Sequence, residues 1–298
     1  MNKLKALLRN DRIAVAVFLA PALFFFALYM IAPIPISAYY SLFRWSGIGE
    51  KVFIGLGNWA ELVKDPIFWL SFQNNLKLVV VSIGTQLPMA LLLAVFLSAR
   101  TTKLAGFFKT IYFIPLLTSS VAIGVMWRYI YDTNFGLVNV LLRNLGLFSW
   151  IQDWLGDPKL ALYSVMVAIN WRFIPFYMIL FLAAIVAIPE ELFEAAMIDG
   201  ARGIQVFRHI TLPQLRPTII NAAVLSLVGA LKFFDIVFAM TNGGPAHASE
   251  LMATYMYKRS FTDFRMGYGS TVAVAIFLIA MVISTVFLNS TRRRTARS

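Results

Sequence analysis

Three ionisable side chains interrupt the long apolar stretches of this 298-residue chain: Arg172, Lys232 and Asp235. A charge inside an apolar span costs free energy, so such residues mark candidate paths for polar solutes. Lys232 and Asp235 are three positions apart, and this spacing places both on one face of a continuous helix as an ion pair. Such a pair is compatible with a structural role and with a solute contact. Arg172 is compatible with snorkelling to the interface, pairing with a partner subunit, or lining a path at the kink expected from Pro175.

A second set of side chains has the chemistry that binds a sugar. Aromatic faces stack on pyranose rings, while hydroxyl and amide groups form hydrogen bonds with them. Together with the three charged residues, the candidates for a substrate path are Asn170, Trp171, Tyr177, Asn221, Ser226, Phe233 and Ser270, with Thr271 beside the last. The same residue types also pack and hydrogen-bond between membrane helices, so a structural role is the alternative for each.

The residues needed for catalysis are not assembled in this sequence. No glycine is followed by lysine, so the Gly-x-x-x-x-Gly-Lys-Ser/Thr phosphate loop is missing. There is no cysteine, and His209 and His247 fall on opposite sides of the membrane in the topology predicted below. They therefore cannot share a metal ion or a catalytic triad. We expect no enzyme activity and no cofactor in this chain.

The composition is that of an integral membrane protein. Hydrophobic residues make up 60% of the chain and charged residues 13%, whereas a soluble domain carries about a quarter charged residues. The net charge is +12, but the basic residues lie in short runs between apolar segments and form no basic domain. We therefore expect membrane lipid, and no nucleic acid, as a partner.

Six apolar segments are long enough to cross a bilayer, and they predict an all-α membrane protein forming a single domain over residues 1–298. The predicted spans are about 13–36, 76–98, 110–131, 161–187, 218–240 and 267–289. Basic residues are denser in four connecting or terminal segments than elsewhere: 1–12, 100–109, 189–217 and 291–298. This distribution predicts that both termini are cytoplasmic. The uncharged run that begins at Ile13 is too long for a signal peptide, so the first span is expected to be retained.

The cytoplasmic loop 189–217 is predicted to contain a short helix that stays outside the bilayer. Pro189 can open this helix, acidic residues occupy its first turns, and Gly200 can close it. Ala195 and Ala196 give it a shallow side on which a partner protein can sit closely. The alternative is an ordinary helical hairpin lying on the membrane surface.

The residues of this loop resemble a known signature. Glu194-Ala195-Ala196, followed by Asp199-Gly200 and then by Ile210-Thr211-Leu212-Pro213, is similar to the EAA motif of permease subunits in binding-protein-dependent ABC importers. Further segments, such as Ile54 to Trp59 and Met240 to Pro245, resemble the carbohydrate (maltose-type) family, especially its first permease subunit. The likeness covers roughly residues 13–290. The chain lacks extra N-terminal spans and a large external insertion, as in the shorter six-span members.

This resemblance implies a fold, a location and a set of partners. The fold would be a type I ABC importer transmembrane domain in a bacterial-type cytoplasmic (inner) membrane. The partners would be a second homologous permease subunit, two ATP-binding subunits that hold ATP and magnesium, and an external solute-binding protein. The resemblance assigns ATPase coupling to Glu194, Ala195, Ala196, Asp199, Gly200, Leu212 and Pro213.

The expected function is import of an oligosaccharide or related sugar, coupled to ATP hydrolysis in the partner subunits. One alternative is a permease of the same class for a non-sugar solute such as glycerol phosphate. A proton-coupled secondary carrier is another, although no proton relay or repeat is visible. A membrane-embedded enzyme or assembly factor would need a set of catalytic residues that does not converge on one membrane face. Gly200→Leu is expected to abolish transport and to leave membrane insertion intact.

Overall fold

A computed structural model describes residues 11–98 and 105–295. The described residues divide into two compact units, one comprising residues 11–64 and 256–277, the other residues 65–98, 105–255 and 278–295. A single domain over 1–298 stays a prediction.

The first unit contains an apolar helix and a small polar lobe. Its elements are α1 (Asp11–Phe26), a π-helical turn (Ala27–Ile31), α2 (Pro33–Tyr40), β1 (Phe43–Arg44), β2 (Val52–Phe53), α3 (Gly57–Lys64), a second π-helical turn (Lys258–Thr262) and the first part of α15 (Met266–Thr295). The strands pair antiparallel, with Phe43 opposite Phe53. Side chains 15–31 are exposed, as expected for a helix in contact with lipid.

Buried hydrogen bonds of Asn58, an exposed ion pair and a close backbone contact hold the lobe together. The Asn58 amide donates to the carbonyl oxygens of Ser41 and Phe43, each at 2.8 Å. Arg265 forms a two-point ion pair with Glu61, at 2.8 and 2.6 Å, and this hydrogen bonding raises the pKa of Arg265. Gly267 meets the backbone of β1, and a Cβ atom there would stand 1.9 Å from a carbonyl oxygen. Only glycine fits this position.

The second unit is a helical bundle. Its elements are α4 (Pro66–Val81), a π-helical turn (Ser82–Gln86), α5 (Leu87–Ser98), α6 (Ala105–Leu117), α7 (Ser120–Ile130), α8 (Leu137–Asn144), a 3-10 turn (Phe148–Trp150), α9 (Ala161–Val186), α10 (Glu190–Ile198), α11 (Ile204–Val206), a π-helical turn (Phe207–Thr211), α12 (Leu212–Leu231), α13 (Asp235–Met240) and most of α14 (Met252–Tyr257). The core lies between α5, α9 and α12, where Ala94, Met178, Phe181 and Leu215 are fully buried.

Within the described ranges, five helical stretches are long and apolar enough to cross a membrane: Val15–Tyr40, Pro66–Ser98, Ala161–Val186, Ile204–Leu231 and Met266–Asn289. A sixth is a pair of helices, Thr110–Leu117 and Ser120–Ile130, bent by 107°. The all-α class with six apolar segments is therefore confirmed when the bent pair counts as one.

Three predicted spans differ from the observed helices. The third is broken rather than continuous, since Pro115 lacks a backbone donor and Ser119 is extended. The second begins ten residues early, at Pro66, because the Asp65 carboxylate caps the backbone N–H groups of Ile67 and Phe68. The fifth was predicted over 218–240, but its helix runs from 204 to 231 and the chain then leaves helical geometry.

Candidate functional site

The loop that resembles the EAA motif contains the predicted short helix. Helix α10 begins directly after Pro189 and has two glutamates in its first turn. At its other end the Gly200 N–H bonds the Met197 carbonyl at 3.1 Å, and the Ala201 N–H bonds the Ala196 carbonyl at 2.9 Å. Gly200 has a φ of +78°, so these two bonds form a Schellman motif. The predicted opening by Pro189 and closure by Gly200 are confirmed.

The two alanines of the motif do not share one face. Ala195 is exposed, whereas Ala196 is buried against its own chain, at 8% exposure. Consecutive residues of a helix point about 100° apart, which is why the predicted shared face is wrong for Ala196. The exposed side of α10 instead combines Ala195 with two large apolar side chains, Met197 at 64% and Ile198 at 87% exposure. Exposed apolar groups of this size beside carboxylates are suited to a protein partner.

The remaining residues of the predicted coupling set also lie on the surface. Glu194 and Asp199 are exposed on or just after α10, and Leu212 and Pro213 are exposed at the start of α12. The turn between them depends on Gly203, whose φ of 49° and ψ of −108° are available to glycine alone. The coupling role of the set stays a prediction, but its accessibility suits that role.

A cavity of about 380 Å³ lies in the second unit, where α12 ends. Its wall combines aromatic rings with hydroxyl, amide and charged groups. The principal lining residues are Ser82, Gln86, Ser120, Phe173, Phe176, Tyr177, Ser226, Lys232, Phe233, Phe234 and Asp235. The volume falls within the usual range for small-ligand sites, and the lining has the apolar faces and few polar groups typical of them.

Five of the ten predicted substrate-path residues line this cavity. They are Tyr177, Ser226, Lys232, Phe233 and Asp235. The Phe233 ring lies edge-on to that of Phe173, with 5.7 Å between ring centroids. This contact joins the end of α12 to the middle of α9.

The other five candidates lie elsewhere. Asn170 donates to the Thr85 hydroxyl at 2.9 Å, and Trp171 packs edge-on against Trp127. Asn221 is exposed on α12. Ser270 is buried in the first unit, next to Thr271, whose hydroxyl donates to the Gly267 carbonyl. None of these residues lines the cavity of the second unit.

Arg172 is the fifth residue that does not line the cavity. Its guanidinium carbon lies 5.5 Å from the centre of the Phe173 ring. Two of its nitrogens, Nε and Nη1, are buried and have no hydrogen-bond partner among the described residues. Buried guanidinium donors without acceptors are costly, so Arg172 is suited to an acceptor that a substrate or partner supplies.

The predicted ion pair on one helix face is wrong. Helix α12 ends at Leu231, Lys232 is already outside helical geometry, and Asp235 begins a new helix. No ion pair joins these two residues in the part of the chain that the structure describes. Both side chains are exposed and line the cavity, so each remains available to a polar solute.

The sequence analysis missed two polar residues of the cavity wall, Ser82 and Gln86. Both belong to the π-helical turn between α4 and α5 and are nearly fully buried. The sequence could have identified them, because polar side chains inside an apolar segment need hydrogen-bonding partners and Gln86 carries an amide.

A bundle of apolar helices, an exposed helix with glutamates in its first turn, and an open cavity with aromatic and polar walls are together typical of membrane transport subunits. Residues 86–294 match the family model described as "Binding-protein-dependent transport system inner membrane component", and the chain belongs to this family. It is an ABC transporter permease subunit of the type I fold, a component of the inner membrane that is not itself an enzyme.

Named relatives cover nearly the whole chain. The probable ABC transporter permease protein YurN of Bacillus subtilis (strain 168) is 38% identical over 93% of this chain and 96% of its own. The lactose transport system permease protein LacF of Rhizobium radiobacter is 34% identical over 93% of each chain. Among solved structures, a bacterial alginate ABC transporter in complex with alginate pentasaccharide-bound periplasmic protein has the same fold. Its TM-score is 0.84 at 24% identity, over 97% of this chain and 96% of that chain.

Proposed function

We propose that this permease subunit imports an oligosaccharide or a related sugar across the cytoplasmic membrane, driven by ATP hydrolysis in separate subunits. The observation that carries the proposal is the full-length similarity to a lactose permease, at 34% identity. The cavity supports it, because Tyr177, Phe173 and Phe233 supply aromatic faces and Gln86 and Ser226 supply hydrogen-bonding groups. Its volume of about 380 Å³ lies within the usual range for small-ligand sites.

The proposal includes the partners and the orientation. A second homologous permease subunit completes the path, two ATP-binding subunits hold ATP and magnesium, and an external solute-binding protein delivers the sugar. Both termini and α10 lie on the cytoplasmic side, where the exposed α10 contacts an ATP-binding subunit. The coupling contacts are assigned to Glu194, Ala195, Asp199, Leu212 and Pro213, with Gly200 and Ala196 fixing the helix end.

The connections of α10 explain how movement of the ATPase subunits would reach the cavity. Only residues 187–189 separate α10 from α9, and after α10 the chain passes through the Gly203 turn into the helix that ends at Leu231. A displacement of α10 is therefore transmitted to α9 and α12. The middle of α9 and the residues that directly follow α12, Phe233 and Phe234, supply the aromatic wall of the cavity. Movement of two rigid helices between discrete packed arrangements would open the cavity to alternate sides.

The test is ATPase activity of the purified complex in liposomes, with the binding protein either empty or loaded from a panel of sugars. We expect stimulation by one loaded form. Glycerol phosphate is included in the panel, and stimulation by it alone would move the assignment to the non-sugar alternative. Uptake that a proton gradient drives without the ATP-binding subunits would refute the coupled mechanism.

A further inference from the structure

The residues that follow Gly229 at the end of α12 contain no helix breaker. Between Ala230 and Asp235 there is neither glycine nor proline, and the residues Leu, Lys, Phe and Phe all tolerate a helix. The chain nevertheless leaves helical geometry at Lys232 and starts a new helix at Asp235. A contact from elsewhere in the fold must stabilise this break.

Asn75, in the middle of α4, makes that contact. Its side-chain amide donates to the Ala230 carbonyl at 2.7 Å and to the Leu231 carbonyl at 3.2 Å. Its side-chain oxygen accepts a hydrogen bond from the Met252 N–H, at 2.8 Å, where α14 begins. Asn75 is fully buried. Both of its amide protons and its oxygen are therefore used on the backbone of two other helix ends.

These bonds stabilise the helix end. In an uninterrupted α12 the N–H groups of Phe234 and Asp235 would donate to the same two carbonyls, those of Ala230 and Leu231. Asn75 supplies donors to both carbonyls instead, so α12 can end at Leu231 without leaving these buried acceptors unpaired. The neighbouring Asn74 holds the next part of the chain, since its amide donates to the carbonyls of Ala248 and Glu250, each at 3.0 Å.

We propose that Asn75 is a positioning residue for the substrate cavity: it ends α12 at Leu231 and thereby places Lys232, Phe233 and Asp235 in the cavity wall. Asparagine is suited to this task because one planar group offers two donors and an acceptor. Serine offers one donor, aspartate offers none when ionised, and leucine has the same branching at Cγ but no polar atom. The proposal builds on the cavity named under the proposed function and does not require the solute to be a sugar.

The test uses the absence of cysteine from this chain. A single cysteine is introduced by Asp235→Cys at a position that is exposed in the cavity wall. Its reaction with a maleimide is timed in the assembled, membrane-reconstituted complex, with and without Asn75→Leu. If α12 continues through the break, position 235 falls four residues after the fully buried Leu231, on the buried face of the helix.

We expect Asn75→Leu to slow the reaction by at least about fivefold, since leaving buried backbone groups unpaired shifts an equilibrium by this order or more. The matched control is Asn58→Leu. Asn58 is also buried and also donates to two backbone carbonyls, but it belongs to the first unit and does not line the cavity. The reaction rate at position 235 should be unchanged in this control.

An unchanged rate in Asn75→Leu would overturn the proposal, and so would an equal slowing in the Asn58→Leu control. If Asn75→Leu does not assemble, Asn75→Ser is measured in the same way, because serine retains one donor. Failure of both Asn75 variants to assemble while Asn58→Leu assembles would also overturn it, since Asn75 would then maintain the fold as a whole.

A second readout separates positioning from general damage. With the native Asp235, the number of solute molecules moved per ATP hydrolysed should fall in Asn75→Leu, while stimulation of ATPase activity by the loaded binding protein persists. A proportional loss of both would indicate damage to the fold and contradict a positioning role. The cysteine reaction needs no solute, so slowed labelling in a complex that imports no sugar would leave this proposal standing and remove only the sugar assignment.

Discussion

Replacement of Gly200 tests the coupling helix with little steric ambiguity. A Cβ atom at this position would meet nothing within 4 Å, so a side chain has open space. However, a residue with a Cβ atom does not easily adopt the backbone φ of +78° that the Schellman motif requires. The cost of that left-handed geometry is about 1–2 kcal/mol for a residue with a Cβ atom. The population of the capped helix end therefore falls by a factor of about 5–30 relative to uncapped conformations.

Two substitutions distinguish this backbone effect from loss of a contact. Gly200→Leu should lose most of the ATPase stimulation by the loaded binding protein, together with uptake. Gly200→Asn should retain most of both, because asparagine tolerates the left-handed region far better than leucine does. Helix ends open at low free energy, so the penalty should appear locally and leave insertion and the melting temperature of the complex nearly unchanged.

The assay is stimulated ATPase activity and uptake in liposomes, measured beside the amount of assembled complex recovered by size exclusion. Normal uptake by Gly200→Leu would refute the assignment of this loop to coupling. Equal losses in the leucine and asparagine variants would show that the left-handed geometry is not what matters.

Three further outcomes are expected. Gly267→Ala should destabilise the complex, seen as a lower melting temperature, because its Cβ atom would stand 1.9 Å from the Phe43 carbonyl oxygen; an unchanged melting temperature would contradict the close approach. Met178→Ala in the fully buried core should cost about 2–5 kcal/mol of unfolding free energy in denaturant titrations, and a cost near zero would contradict tight packing between α5, α9 and α12. Phe233→Ala should reduce solute moved per ATP without loss of assembly, and Phe53→Ala, at an exposed site in the first unit, should not; equal effects would remove Phe233 from the path.

The features predictable from the sequence are those with local causes. Helix α10 was predicted at its correct ends, since Pro189 opens it and Gly200 closes it through nearest-neighbour hydrogen bonds. The fourth span was predicted almost to the residue, because its helix runs unbroken from Ala161 to Val186 despite Arg172 and Pro175.

The predictions were wrong where contacts with residues distant in the sequence determine a helix end or the burial of a side chain. The predicted fifth span continued to residue 240 because its sequence contains no proline and only one glycine, Gly229, but Asn75, about 155 positions away in the chain, caps the carbonyls at which the helix ends. The same break removed the Lys232–Asp235 pair and brought both residues into the cavity. Packing of α10 on its own chain, which buries Ala196, is likewise a tertiary effect that local pattern does not contain.

The most direct test of sugar import is an uptake assay. The permease and its partner subunits are reconstituted in liposomes, and the binding protein and a panel of radiolabelled oligosaccharides are added outside. We expect accumulation of one sugar, which requires the loaded binding protein and ATP on the side of α10 and which is lost in Gly200→Leu. Accumulation of the sugar without ATP would contradict ATP-driven sugar import. Uptake of another class of solute with no uptake of any sugar would contradict it as well.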